Sequence, residues 1–181
     1  GYKDVMAAVS WQHTVLLDKN SIQNFDPYGF LCQLTADHPE LFLKRSELST
    51  VLSELYSNAL EHGLLQLPSS LKNSVQGMLN YYEIRQKKLE EIHTGQIIIH
   101  LNYQGSSDSP HHIGVIEITV EDSGKGFNYR KQMSHSEKVM GNPKGQQYAG
   151  RGMALVSALC RKVEYLEKGN KVKATYLIEN S

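Results

Sequence analysis

A glycine-flanked arginine at the start of a predicted helix could bind phosphate. Gly150, Arg151 and Gly152 precede the apolar stretch that begins at Met153. A helix start offers free backbone N–H groups and the positive end of the helix dipole, and Arg151 adds a charge for a terminal phosphate. An ordinary helix start would show Ser, Thr or Asp at the N-cap. No Gly-Lys-Ser/Thr run follows the glycines, so this is not a P-loop.

A second motif, Asp122-Ser123-Gly124-Lys125-Gly126, directly follows a predicted strand. A carboxylate at a strand end can accept hydrogen bonds from a buried donor. The glycines let the backbone turn and approach a ligand closely. Asp-Ser-Gly is also common in ordinary turns, so this motif alone is a weak signal.

A third motif lies inside the longest predicted helix. Glu54, Asn58 and His62 are spaced four apart, so their side chains project from nearly the same face, with neighbours about 5–6 Å apart. A carboxylate, an amide and an imidazole then form a polar cluster on an otherwise apolar helix. An exposed polar stripe would show the same spacing, and taken alone that interpretation is favoured.

The elements that must position these residues follow from hydrophobic periodicity and from Pro and Gly signals. Predicted helices cover 27–38, 40–67, 69–92 with a break near Gly77, and 153–162; predicted strands cover 11–17, 96–103, 113–120, 163–167 and 171–178. The charge run 85–91 could form a docking surface, but a solvated helix face is the favoured interpretation. Strands that come in pairs around long helices predict an α+β two-layer sandwich, with a mixed sheet and helices on one face.

Composition limits the classes of function. The 181 residues fit one domain, and 40% hydrophobic with 21% charged residues is ordinary for a globular protein. The 19 basic and 19 acidic side chains cancel, so the field that nucleic-acid binding needs is missing. Two cysteines in apolar surroundings indicate free thiols, and no apolar run is long enough for a membrane span. These features predict a cytoplasmic protein without a nucleic-acid or membrane partner.

The order of the three motifs is more specific than any one of them. E-x-x-x-N-A-x-x-H-G on a helix, D-x-G-x-G-F after a strand and G-R-G-x-x-L at a helix start resemble the GHKL (histidine-kinase-like) ATPase superfamily. The resemblance covers about residues 48–178. It implies the Bergerat ATP-binding fold, ATP and Mg²⁺ as ligands, and one domain over 1–181 with its core at about 40–179.

For the helix motif, the resemblance implies three roles. Glu54 would be the general base that takes the proton from the attacking hydroxyl. Asn58 would hold the Mg²⁺ that bridges the ATP phosphates, and His62 would line the site.

For the other two motifs, the resemblance implies nucleotide contacts. Asp122 would accept the adenine amino group, and Gly124 and Gly126 would shape the nucleotide pocket. The segment 134–149 would form the ATP lid. The phosphates would be contacted by three residues: Gly150, Arg151 and Gly152.

Two departures from the family pattern affect the prediction. Many relatives carry Gly-Thr at the final hairpin, with the Thr near adenine, whereas this chain has Gly169-Asn170. The stretch 64–103 is also longer than in compact anti-sigma kinases. With its segment 81–85, it resembles the kinase-like domain at the end of bacterial response regulators that also carry a serine phosphatase domain. We therefore expect this chain to be a fragment of such a protein.

Within the superfamily, the sequence most resembles the anti-sigma-factor serine kinases. Sensor histidine kinases usually carry Lys or Arg after Asn-Ala, whereas here His62-Gly63 ends the motif. The predicted function is an ATP-dependent protein serine kinase that phosphorylates a STAS-domain anti-sigma antagonist. The alternative is a nucleotide-responsive module that sequesters a sigma-regulatory partner with little catalysis. Related kinases are often dimers, so a homodimer remains open.

Overall fold

A five-stranded sheet forms one layer of the computed structural model, which describes residues 1, 5, 7–106, 111–126 and 150–179. The strands are β1 (Ser10–Leu17), β2 (Ile97–Gly105), β3 (His112–Asp122), β4 (Lys162–Leu166) and β5 (Lys171–Glu179). Their order is β1-β2-β3-β5-β4. Every pairing among these described strands is antiparallel.

The two-layer α+β sandwich is confirmed, but the sheet is antiparallel rather than mixed. The chain pairs β2 directly with β3, and β4 directly with β5. Strands that follow one another through a short connection can pair only in the antiparallel sense, because a parallel pair needs a long crossover. β5 then adds to β3 in the antiparallel sense as well.

The second layer consists of helices on one face of the sheet. They are α1 (Pro27–Asp37), a 3₁₀ helix (Pro39–Lys44), α2 (Arg45–Ser57), a π-helical segment (Asn58–Leu64), a second 3₁₀ helix (Ser69–Asn73), α3 (Val75–Glu91) and α4 (Gly150–Leu159). The start of α1 is as predicted: Asp26 is the N-cap, its Oδ1 accepts from the Tyr28 amide at 3.1 Å, and Pro27 occupies the first turn.

Alternating burial along the strands places the core between the layers. Ile99, Leu101, Ile118 and Ala174 are fully buried against the helices. The opposite face carries half-buried polar side chains, such as Lys173, whose Nζ lies 3.2 Å from Glu117 Oε2. One face packed on helices and one polar face is the pattern expected of an antiparallel sheet. No helix in the described ranges is both long and apolar enough to cross a membrane.

The longest predicted helix is interrupted at the residues of the helix motif. Residues 40–67 were expected to form one helix, but α2 ends at Ser57 and the chain widens into the π-helical segment. There the Leu65 amide donates to the Leu60 carbonyl at 2.9 Å, five residues back. Such π-bulges are rare and often occur at functional sites. The wider turn brings Gly63 against Asp122, as described below.

The predicted helix 69–92 breaks at Ser74 rather than near Gly77. Ser74 caps α3 by accepting from the Gly77 amide at 2.9 Å. The charge run 85–91 is mostly exposed, as predicted for a solvated face, but Arg85 is half-buried and two cations of the run contact the π-helical segment. Arg85 pairs with Glu61, and Lys88 Nζ donates to the Leu65 carbonyl at 3.0 Å. These contacts fix α3 against the π-helical segment.

Candidate nucleotide-binding site

A cavity of about 470 Å³ opens where the π-helical segment, the end of β3 and the β4–β5 hairpin meet. Its size is in the range of pockets that hold small organic ligands. The described residues that line it are Asn58, His62, Gly63, Gln66, Leu67, Pro68, Ser70, Asp122, Lys125, Gly126, Gly169 and Asn170. Residues from two of the three sequence motifs therefore share one wall.

Asp122 is held rigidly at the end of β3. Its side chain is buried, and its Oδ1 accepts from the Gly124 amide at 2.8 Å. Its backbone exchanges hydrogen bonds with the final hairpin: the Asp122 amide donates to the Asn170 carbonyl at 2.9 Å, and Asn170 Nδ2 donates to the Asp122 carbonyl at 2.7 Å. The carboxylate is thus preorganised as an acceptor at the cavity wall.

Glycines allow the close contact between Gly63 and Asp122. A side chain at position 63 would overlap the Asp122 carboxylate, and one at position 124 would overlap the Gly63 carbonyl. Gly126 has a φ of 75°, which favours glycine, and it lines the cavity. Gly63, which ends the helix motif, therefore packs directly against Asp122 and Gly124 of the strand motif.

Burial raises the pKa of Asp122 to about 6. The Gly124 amide opposes this shift, Glu121 adds to it, and Lys168 opposes it. An unfolded aspartate titrates near its ordinary pKa of 3.8. The ionisation of Asp122 therefore lowers the free energy of unfolding as the pH rises from about 4 through about 6. This loss of stability remains at higher pH.

We expect Asp122→Asn to raise the unfolding free energy of the nucleotide-free domain at about pH 8, by up to about 3 kcal/mol. The amide oxygen can keep the bond from the Gly124 amide, while the buried charge is removed. Urea unfolding at about pH 8 and about pH 4 measures this, and the gain should be much smaller at the lower pH, where folded Asp122 is protonated and the unfolded aspartate is only partly ionised. Asp37→Asn, at the exposed end of α1, is the matched control. A gain of equal size at both pH values would contradict the buried-charge explanation.

Asn58 and His62 both line the cavity from the π-helical segment. His62 Nδ1 lies 2.5 Å from the Leu67 carbonyl. That contact requires the proton on Nδ1 and leaves Nε2 as an acceptor in the neutral ring. Asn58 Oδ1 is buried and has no hydrogen-bond partner among the residues described.

The Asn58 oxygen fits a magnesium ligand. Mg²⁺ in nucleotide sites commonly takes only one or two protein oxygens, together with phosphates and waters. A buried amide oxygen without a partner costs free energy until it is bound. In the described ranges there is no group of three or more His, Cys, Asp or Glu side chains that could hold a metal ion.

Glu54 and Gly152 bring the helix motif to the start of α4. A side chain at position 152 would overlap the Glu54 carboxylate in its present position. Burial raises the pKa of Glu54 above its ordinary value, while Lys72 opposes this shift and Glu61 adds to it. A carboxylate with raised proton affinity therefore lies against the positive end of a helix.

The other residues predicted to contact phosphate lie at the same helix start. α4 begins at Gly150, and Arg151 is exposed. The described part of the cavity wall includes neither these two residues nor Glu54 and Gly152. The predicted lid, 134–149, lies outside the described residues. The site thus divides into a cavity around Asp122 and Asn58 and a contact between Glu54 and the α4 start.

Sequence reasoning missed Glu61, which lies within the helix motif. This carboxylate is buried and accepts a hydrogen bond from the Tyr81 hydroxyl. Arg85 Nε lies 3.3 Å and Lys72 Nζ 3.4 Å from its oxygens. Glu61 therefore ties α3 and the second 3₁₀ helix to the motif. Its position beside His62 was the only signal in the sequence.

Asn170 and the segment from Gln66 to Ser70 were not predicted to line the site. Asn170 replaces the Thr common in relatives, and it lies in the cavity wall with its Oδ1 buried and without a partner in the described part of the chain. The sequence signals were the Gly169-Asn170 turn and Pro68. Both mark turns, but neither indicates which cavity the turn faces.

Comparison of the sequence with known protein families gave a match that covers the residues of this site. The sequence pattern of the histidine kinase-like ATPase domain family matches residues 29–176. The chain belongs to this family of ATP-binding domains. The match spans all three motifs and extends upstream to α1. No curated protein and no solved structure gave a significant match to the chain.

Proposed function

We propose that this domain is an ATP-dependent protein serine kinase of the anti-sigma-factor type, whose substrate is a STAS-domain anti-sigma antagonist. One observation carries the proposal: the Glu54 carboxylate lies against Gly152 at the start of α4 and one helical turn before Asn58. A base, a metal-binding oxygen and a phosphate-binding helix end are the groups that phosphoryl transfer requires.

In the proposed reaction, Glu54 accepts the proton of the substrate serine hydroxyl. The serine oxygen forms a bond to the γ-phosphorus, the bond from the γ-phosphorus to the β,γ-bridging oxygen breaks, and ADP leaves with the electron pair. The raised pKa of Glu54, caused mainly by burial, brings its proton affinity nearer to working pH, which favours a general base.

The other residues hold the nucleotide. Asp122 accepts the adenine amino group, while Gly124 and Gly126 shape the pocket around the base. Gly150, Arg151 and Gly152 present backbone N–H groups and a positive charge to the phosphates. His62 lines the cavity and offers Nε2 as a hydrogen-bond acceptor.

Asn58 Oδ1 would hold Mg²⁺, which when bound neutralises charge on the phosphates. We expect Asn58→Ala to remove the Mg²⁺ dependence of ATP affinity, since the only protein oxygen proposed to bind the ion is deleted. Titration calorimetry with ATP, with and without Mg²⁺, measures this. Asn80→Ala on α3 is the matched control and should keep the dependence. An unchanged dependence in Asn58→Ala would show that the ion is bound elsewhere.

The proposal places the domain in the cytoplasm, as the kinase part of a longer protein with response-regulator and serine phosphatase parts. Its direct test is incubation with γ-labelled ATP and a STAS-domain partner. Label should appear on the partner and should be absent when the acceptor serine is replaced by alanine. A partner that is bound tightly but never labelled would refute the kinase and favour the sequestering module.

A further inference from the structure

Lys72 brings a positive charge to the edge of the nucleotide site. It belongs to the second 3₁₀ helix (Ser69–Asn73), and this segment and its approach form part of the cavity wall through Leu67, Pro68 and Ser70. Lys125, next to Gly124 in the strand motif, is the one cation among the described residues that line the cavity. Among the described residues, Arg151 at the start of α4 is the other cation already assigned to the phosphates, and Lys72 would add a third.

The contacts that hold Lys72 are loose. Its Nζ lies 3.4 Å from Glu61 Oε1 and 4.4 Å from the centre of the Tyr81 ring, and 40% of its side chain is exposed. A strong charge-assisted hydrogen bond is shorter, about 2.7–2.9 Å. Glu61 also has the Tyr81 hydroxyl and Arg85 as partners. Glu61 would therefore keep a donor and a counter-charge if Lys72 moved away.

The charge of Lys72 acts on the catalytic side of the site. Among charged side chains, Lys72 has the largest effect on Glu54 and lowers the pKa of this carboxyl. In the fold, Lys72 lies two residues from Ser70, and its partner Glu61 is next to His62. Ser70 and His62 both line the cavity, so Lys72 lies at the edge of the site. A lysine has a flexible stem and a compact charge, which suits transfer between two anionic partners.

We infer that Lys72 is a phosphate-binding residue, which leaves Glu61 and binds the γ-phosphate when ATP occupies the cavity. The inference rests on the proposed function, because it assumes the same nucleotide orientation. It assigns a role to the stretch between the helix motif and α3. This stretch supplies a cation for the triphosphate, and Glu61 with Tyr81 holds Lys72 beside the site.

Calorimetric titration of the parent, Lys72→Met and Lys72→Arg with ATP, ADP and AMP tests this inference. Lys72→Met should weaken ATP binding about tenfold, as expected for loss of one hydrogen bond to a charged group. ADP and AMP lack the γ-phosphate and should bind within about twofold of the parent. Lys72→Arg should recover part of the ATP affinity. Lys87→Met, on α3 and exposed, is the control and should change nothing.

Two outcomes would overturn the inference. An unchanged ATP affinity in Lys72→Met would exclude the contact between Lys72 and the γ-phosphate. An equal loss of affinity for ATP, ADP and AMP would show that Lys72 only stabilises the packing of α3. Because these affinities are measured without a protein partner, they are independent of the kinase test. A parent that binds ATP but labels no STAS partner refutes the proposed kinase and leaves the Lys72 result decisive.

Discussion

Glu54→Gln is expected to slow phosphoryl transfer to the partner by roughly 10²–10⁴-fold, the usual contribution of a general base. Glutamine has nearly the same shape, so it can occupy the space beside Gly152, but it cannot accept the serine proton. ATP affinity should stay close to that of the parent, because the base acts on the hydroxyl and not on the nucleotide. Single-turnover transfer from γ-labelled ATP, with affinity measured in parallel, separates the two effects.

Glu83→Gln is the matched control, because Glu83 is an exposed glutamate on α3 and should leave transfer unchanged. Transfer by Glu54→Gln at the parental rate would show that Glu54 is not the base. The burial that raises the pKa of Glu54 would then be only a consequence of its packing against the start of α4.

Asp122→Ala is expected to weaken ATP and ADP alike, by about tenfold or more. Losing a hydrogen bond to a charged acceptor costs about 1.5–3 kcal/mol. The loss should be equal for the two nucleotides, since both carry the same base and Asp122 is proposed to contact only that base. Calorimetric titration measures both affinities, and Glu121→Ala serves as the neighbouring control.

Parental ATP affinity in Asp122→Ala would refute the assignment of Asp122 to adenine. A loss for ATP with none for ADP would also contradict it, since that pattern belongs to a phosphate contact. ADP distinguishes the two variants, because Asp122→Ala should weaken ADP binding whereas Lys72→Met should leave it nearly unchanged.

Much of the site was predictable because its residues carry local signals. The strand that ends at Asp122 alternates apolar residues, and the glycines at 124, 126 and 152 interrupt regular patterns where the backbone approaches another group closely. In the helix motif, Glu54, Asn58 and His62 are spaced four residues apart. The order of the three motifs along the chain, rather than any single motif, indicated the family that the sequence comparison shows.

Other features depend on contacts between segments distant in sequence, so local patterns could not show them. The π-helical turn depends on Gly63 meeting Asp122, which is 59 positions further along the chain. Glu61 becomes buried only because Tyr81 and Arg85 on α3 reach it. The antiparallel order of the sheet depends on where β5 inserts, and neither hydrophobic period nor turn residues specify that position.

Nucleotide binding by the parent domain is the most direct test of the site, and titration calorimetry with ATP and ADP, each with and without Mg²⁺, measures it. We expect both nucleotides to bind, with ATP affinity raised by Mg²⁺ because Asn58 Oδ1 offers the ion a protein ligand. The absence of binding by either nucleotide, with and without Mg²⁺, would contradict the assignment of this cavity to ATP.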